Sequence, residues 1–194
     1  ISFLSFSINY HFNKFDVFGY HLVNLIIHLI NSMLLWWLVL LVFHSFAIKD
    51  KAIAAYSFSV AFLTSLIFIS HPVQTQSVTY IYQRSSSLGT LFYLLRLSLY
   101  LKTRLTADKT LSSVICLLFS LISAILGMFT KETMLTLPAM ILLFELCLFK
   151  PSKKHNLRYV MPFLIASLII PITLIATKTV YFRQTQILAD KHIT

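Results

Sequence analysis

Six apolar runs alternate with short polar stretches along most of this chain, at roughly Tyr20–Phe43, Ala54–Ser70, Ser85–Leu101, Thr110–Met128, Thr133–Phe149 and Tyr159–Lys178. Each is close to the ~20 residues that an α-helix needs to cross a hydrocarbon core, and the connections are short enough to make consecutive helices antiparallel neighbours. The pattern predicts an all-α, polytopic transmembrane bundle of about six helices over residues 20–178. It is flanked by an external juxtamembrane segment, 1–19, and an external segment, 179–194, expected to be truncated. The first segment is ambiguous. Phe6, Ile8, Tyr10 and Phe12 alternate with Ser7, Asn9, His11 and Asn13, the period of a strand, yet an aromatic, Asn-rich stretch also suits an interfacial helix. Pro138, Pro162 and Pro171 lie within apolar runs and are expected to kink their helices.

Composition removes the soluble alternative. Hydrophobic residues make up 58% of the 194 and charged residues 11%, against about 45–50% and about 25% in soluble domains; mean hydropathy is +0.82. The net charge of +10 raises nucleic acid as a partner, but the cations sit between apolar runs, where they set topology and meet lipid head groups, so no nucleic-acid partner is expected. With alternating helices, Lys49, Lys51, Lys102, Arg104, Lys109, Lys150, Lys153, Lys154 and Arg158 fall on one side. Lys14, Arg84, Lys131, Lys178, Arg183 and Lys191 fall on the other. The richer set marks the cytoplasmic face, which puts both ends of the chain outside. Cys116 and Cys147 lie inside apolar runs as small hydrophobes, not as a disulfide framework or metal site.

The polar residues worth attention gather on the external side. In His71-Pro72-Val73-Gln74-Thr75-Gln76-Ser77-Val78-Thr79-Tyr80-Ile81-Tyr82-Gln83-Arg84, Pro72 suits the first turn of a helix. Helical spacing would group Gln76, Tyr80, Gln83, Arg84 and Ser87 on one face, ending in an arginine able to grip a phosphate; an ordinary interfacial turn accounts for the same residues. A second feature is the stripe His21, Asn24, His28 and Asn31, spaced three, four and three along one helical face. Interhelical hydrogen bonding is the preferred role for His28 and Asn31. His21 and Asn24, nearer the surface, could line a substrate cavity, and no acid or cysteine is placed to complete a metal site. Third, Thr130-Lys131-Glu132-Thr133 offers an N-cap and a first-turn acid; alternatively Lys131 binds a phosphate and Glu132 acts as a base. Arg96 and Glu145, at similar depth in their runs, are expected to form an ion pair or to snorkel separately.

The order of these motifs resembles the transmembrane and tetratricopeptide-repeat O-mannosyltransferase family and its bacterial relatives. The resemblance rests on Asn9-Tyr10, Phe18-Gly19-Tyr20-His21-Leu22-Val23-Asn24-Leu25 with His28 and Asn31, His71-Pro72-Val73-Gln74-Thr75-Gln76-Ser77-Val78 with Arg84, and Lys131-Glu132. It covers most of the chain, and the His-Pro segment is its specific part. It implies a GT-C fold in a bacterial inner membrane or the endoplasmic reticulum, with the site facing periplasm or lumen. The implied partners are the bilayer, a sugar on a polyprenyl phosphate and an acceptor protein hydroxyl. His71, Gln74, Gln76, Arg84, Lys131, His21 and Asn24 would bind substrate and Glu132 would be the catalytic acid–base residue. The residues assign no cofactor and no metal. The acidic motif that such enzymes carry in the first external loop would precede Ile1, and the repeats would follow Thr194. Asp16 matches that motif poorly, so the chain is expected to be a catalytically incomplete piece. A transporter subunit and a nonenzymatic scaffold for a repeat domain are the competing readings. The lack of an internal repeat weighs against the transporter.

Overall fold

A computed structural model describes residues 1–45, 51–106 and 111–149, and the described chain is all-helical. The sixth apolar run, with Pro162 and Pro171, lies outside the described residues, as does segment 179–194.

The period-two segment folds as a helix, α1 (Ser2–Asn13). Alternation fails as a strand signal there because apolar side chains point every way, with Phe3, Leu4, Ile8 and Phe12 all exposed. A turn with Lys14 at φ 50° leads into α2 (Val17–Phe43). Asp16 caps α2, its Oδ1 accepting the Phe18 N–H at 3.1 Å, one of the donors a helix start leaves free. Gly19 lets the Asn13 amide pack against α2: a Cβ there would lie 2.3 Å from Asn13 Cγ. At 27 residues, α2 is about 40 Å long.

A short helix, α3 (Lys51–Ala55), precedes α4 (Ser57–Ser70). The chain then breaks. His71 is extended (φ −66°, ψ 127°), as a residue before proline prefers. A 3₁₀ turn (Pro72–Gln74) and a single α-turn, α5 (Thr75–Thr79), follow. Tyr80 is extended again (φ −90°, ψ 112°), and a second 3₁₀ turn, Ile81–Gln83, leads into α6 (Arg84–Leu105). The continuous polar face expected from helical spacing therefore does not form, because the extended Tyr80 and the 3₁₀ turn after it reset the helical phase between Gln76 and Ser87. Pro72 does stand at the start of a helical turn, as expected.

Helix α6 runs beyond the predicted apolar span and takes Lys102 and Arg104 into its last turn. It packs on α2 and on α7 (Leu111–Met128), while α2 also packs on α4. A 3₁₀ segment (Glu132–Thr136) then feeds α8 (Leu137–Leu148). Pro138 stands in the first turn of α8, where it starts the helix rather than kinking one. Leu38, Leu97, Tyr100, Leu101, Met134 and Ile141 belong to a compact apolar cluster.

The burial pattern is inverted relative to a water-soluble domain. Arg84, Arg96, Asn24, Asn31, Ser98 and Ser120 are fully or almost fully buried, whereas Phe58, Leu63, Ile67, Phe119 and Leu143 are more than half exposed. Among the described residues one helix, Val17–Phe43, is long and apolar enough to cross a membrane. Ser57–Ser70 with Pro72–Thr79 qualifies as a pair bent by 54°, and Val114–Met128 and Thr133–Leu148 are shorter apolar helices. Among the described residues, then, one or two helices qualify by length and apolarity alone. The break at Pro72 shortens one helix, and a 3₁₀ turn takes the start of another.

The ion pair expected between Arg96 and Glu145 forms instead between Arg104 and Glu145. Arg104 Nε donates to Oε1 at 2.6 Å and Nη2 to Oε2 at 2.8 Å. The Tyr100 hydroxyl also donates to Glu145, and Arg96 Nη1 donates to the Ser120 carbonyl at 3.1 Å. Residues 96, 100 and 104 share one face of α6, so sequence depth could not separate the two arginines. Cys116 is half-buried and Cys147 is exposed, so the buried placement expected for both does not hold for Cys147.

Candidate functional site

A polypeptide that breaks its helix inside a bundle leaves carbonyls that water cannot satisfy, and in an apolar medium each needs a donor. The stripe on α2 reaches carbonyls along the broken segment, from the end of α4 to Tyr80, and one, Ser87, on α6. His21 Nδ1 lies 3.1 Å from the Val78 carbonyl, Asn24 Nδ2 3.3 Å from Tyr80, His28 Nε2 3.5 Å from Ile69 and Asn31 Nδ2 3.0 Å from Ser87. A carbonyl can only accept, so His21 carries its ring proton on Nδ1. The role assigned by sequence to His28 and Asn31, interhelical hydrogen bonding, holds for all four residues.

Arg84 begins α6 and is the hub of this end of the fold. Its Nε donates to Asn24 Oδ1 at 2.8 Å, Nη2 to Asn9 Oδ1 at 2.8 Å and to the Tyr20 carbonyl at 3.1 Å, and Nη1 to the Ser5 carbonyl at 3.3 Å. The Phe6 ring lies 4.6 Å from the guanidinium carbon and the Tyr20 ring 5.5 Å. Most of its five N–H donors are thus taken up by protein, and the side chain is 0% exposed. A phosphate grip, the role the sequence suggested, does not fit this geometry. Arg84 instead joins α1, α2 and α6. No carboxylate among the described residues pairs with it.

Beside this hub lies a cleft of about 110 Å³. His28 and Asn31 from α2, Gln74 and Ser77 from the broken segment, and Ser86 and Ser87 from α6 supply most of its wall, completed by Phe68, Gln83 and Thr90. It adjoins a larger groove of about 270 Å³, which shares Ser86 and Thr90 with it and adds Tyr93, Leu94, Lys131 and Thr136. Lys131 lies against α6 because residue 89 is glycine: a Cβ there would come within 3.3 Å of Lys131 Cβ. Lys131 Nζ donates to Ser86 Oγ at 2.5 Å, its one hydrogen-bond partner among the described side chains, where an ammonium can serve three. No carboxylate among the described side chains pairs with Lys131.

The residues singled out by sequence divide accordingly. Lys131 and Gln74 stand in the adjoining cavities. Glu132 follows Lys131 as the first residue of a 3₁₀ turn. His71 is exposed, and its Nδ1 accepts the Val73 N–H at 3.2 Å; with Gln74 it borders a separate apolar groove containing Leu35 and Ile67. Gln76 is exposed and stands outside the cleft's wall. His21 and Asn24 hold backbone rather than lining the cleft, while His28 and Asn31, read as structural, line it. Ser77, Ser86 and Thr90 were missed. Small hydroxyl residues carry no signal of their own, and only the neighbours brought by folding give them one. Among the described residues no three His, Cys, Asp or Glu side chains come together to hold a metal.

Comparison with known proteins gives one consistent set of relatives. The chain is similar to the protein O-mannosyl-transferase Tmtc3 of Drosophila melanogaster, 38% identical over 109 residues, which is 52% of this chain and 12% of that protein. It is similar to protein O-mannosyl-transferase TMTC1 of Mus musculus, 30% identical over 79% of this chain and 15% of the relative. It is also similar to protein O-mannosyl-transferase tmtc2 of Xenopus laevis, 30% identical over 79% and 17%. The chain thus spans less than a fifth of these relatives' length. No family model matches it, and no solved structure matches it.

Proposed function

We propose that this chain, related in sequence to the TMTC protein O-mannosyl-transferases, is the membrane region of a glycosyltransferase that moves a sugar from a polyprenyl-phosphate donor to a protein hydroxyl. In this reading it is a GT-C-like bundle of about six spans in a bacterial inner membrane or the endoplasmic reticulum membrane, with the cleft facing periplasm or lumen. The observation that carries the reading is Lys131, a cation with no paired carboxylate among the described side chains. It stands in a groove that joins a neutral, hydroxyl-rich cleft on one side and has Tyr93 and Leu94 on its wall. A lipid-linked sugar phosphate needs those three environments side by side: a cation, a polar cleft and an apolar track.

In the proposed reaction the acceptor oxygen bonds to the anomeric carbon as the bond from that carbon to the phosphate oxygen breaks. The phosphate departs with added negative charge, which Lys131 stabilises. The acceptor's proton passes to a carboxylate; Glu132, next to Lys131 in the chain, is the acid we assign to that role. Gln74 on the cleft wall, with His71 and Gln76 from the same broken segment, is proposed to meet the acceptor or the head group. Arg84, His21 and Asn24 hold the rim in place.

The test is binding of polyprenyl-phosphate mannose to the protein in lipid nanodiscs. Saturable binding that Lys131→Met weakens supports the reading. Absence of binding, or binding indifferent to Lys131, overturns it.

A further inference from the structure

Helix α1 packs on the bundle with its polar side inward. Ser2, Ser5, Asn9 and Asn13 recur every three or four residues and share one face, buried or half-buried. On that face Asn9 meets Arg84, and Asn13 packs on Gly19, the third residue of α2. We infer that α1 lies in the membrane–water boundary, with Leu4, Ile8 and Phe12 among lipid acyl chains and Ser7, His11 and Lys14 at the level of the head groups. This rests on α2 crossing the bilayer and on nothing about the reaction.

Three observations name lipid as what covers the outer side. That side is divided lengthwise. Leu4, Ile8 and Phe12, four residues apart, form an apolar stripe and are 65%, 52% and 78% exposed. Beside it run Ser7, His11 and Lys14, also exposed, and on their far flank stand Phe3 and Tyr10, with Phe15 edge-on to Tyr10 at 5.3 Å. A helix in water turns its apolar stripe to the bundle and its Ser and Asn outward. A helix in the boundary layer needs acyl chains on one side and polar surface next to it. Connectivity also sets the depth. At about 40 Å, α2 exceeds the ~30 Å hydrocarbon core, so its ends reach the head groups, and the contact of Asn13 with Gly19 pins α1 to its first turn. Lys14, in the turn between the two helices, has no carboxylate partner among the described side chains and suits an anionic head group. Lastly, the exposed apolar surface continues from α1 onto α2 through Val17, Phe18, Leu22 and Ile26. Because Arg84 joins α1 to α2 and α6, the leaflet holds that end of the bundle, and the cleft beside it, at a set depth.

The test is spin-label accessibility on the full chain in nanodiscs of phosphatidylcholine and phosphatidylglycerol. Cys116→Ala and Cys147→Ala remove the native thiols. Labels then enter singly through Leu4→Cys, Ser7→Cys, Ile8→Cys, His11→Cys and Phe12→Cys, with Ile30→Cys at the middle of α2 as the hydrocarbon reference. All six positions are exposed, so thermal unfolding should change little, and three labels on one stripe leave a reading if one variant fails to fold. Oxygen concentrates among acyl chains, whereas a nickel chelate stays in water. The ratio of oxygen to chelate access should be at least ~3-fold higher at Leu4, Ile8 and Phe12 than at Ser7 and His11. Equal ratios at all five would show water on the stripe, and low access of both reagents to the stripe would show a protein neighbour. Either result overturns the inference, while hydrocarbon-like access at Ile30 keeps the membrane reading. Water-like access at Ile30 would remove that reading and the placement of α1 with it.

Discussion

Arg84 Nε and Asn24 Oδ1 meet at 2.8 Å between α6 and α2, with neither residue measurably exposed. The buried guanidinium is held by amide and carbonyl oxygens and two aromatic rings, with no carboxylate partner among the described side chains. That charge lies at the same end of the molecule as the polar cleft, so the residue that locks α1 onto the bundle also contributes to the potential there. The planar fork is what lets one side chain serve α1 and α2 together.

Arg84→Lys is therefore not conservative here. A lysine cannot reach Asn9, Asn24 and two carbonyls at once, and each buried acceptor left without a donor costs about 1–3 kcal/mol. The expected result is a clear drop in unfolding temperature in detergent. In a double-mutant cycle, Arg84→Lys and Asn24→Ala should be non-additive by about 0.5–3 kcal/mol. Additive effects would show that the two side chains do not act through their shared hydrogen bond.

Glu145 gives the second prediction. Its side chain is 3% exposed and Arg104's 10%, and removing one partner of a buried pair strands the other charge at a cost of about 3–5 kcal/mol. Arg104→Ala and Glu145→Arg should each reduce the folded yield. Exchanging the two residues, Arg104→Glu with Glu145→Arg, should restore much of it. The corresponding exchange with Arg96 should not, and rescue by that exchange would place the ion pair on the wrong arginine.

Gly127 sits where α7 meets the 3₁₀ segment: an added Cβ would lie 2.3 Å from Met134 Cε and 3.1 Å from Phe92 Cβ. The methionine end can move, but the Phe92 Cβ is fixed to α6, so Gly127→Ala is expected to destabilise by about 1–3 kcal/mol. Met134→Leu, which shortens the obstructing side chain, should relieve part of that loss in thermal unfolding of the double variant.

How much of this was legible depended on whether the signal was local. α2 was readable because a predominantly apolar run of more than twenty residues can hardly be anything else, and the three-four-three spacing of His21, Asn24, His28 and Asn31 fixed a face without structural help. Which of the four would border a cavity was not readable. The answer depends on where Ile69, Val78, Tyr80 and Ser87 place their carbonyls after two backbone breaks. The partners of Arg84 lie 60 to 79 positions away, beyond the reach of any periodicity. Arg104 was set aside as a loop cation because the apolar run stops at Leu101, whereas the hydrogen-bonded helix continues to Leu105.

Lys131 supplies the last and most direct prediction. Its contact with Ser86 admits two explanations: the hydroxyl steadies an ammonium meant for a ligand, or the ammonium only ties the turn to α6. They differ in what each partner's removal does. If the charge serves a phosphate, Lys131→Met should lower affinity for polyprenyl phosphate by about 10- to 100-fold, the worth of a charge-assisted hydrogen bond. That loss should shrink as ionic strength rises and screens the attraction in the wild type. Ser86→Ala keeps the charge and should reduce affinity by less than about 5-fold, the size of one neutral hydrogen bond. A purely structural tie would give equal losses of stability for the two variants and no dependence of lipid binding on salt. Titrating both variants and the wild type with polyprenyl phosphate at low and high salt, alongside thermal unfolding of each, separates the two cases.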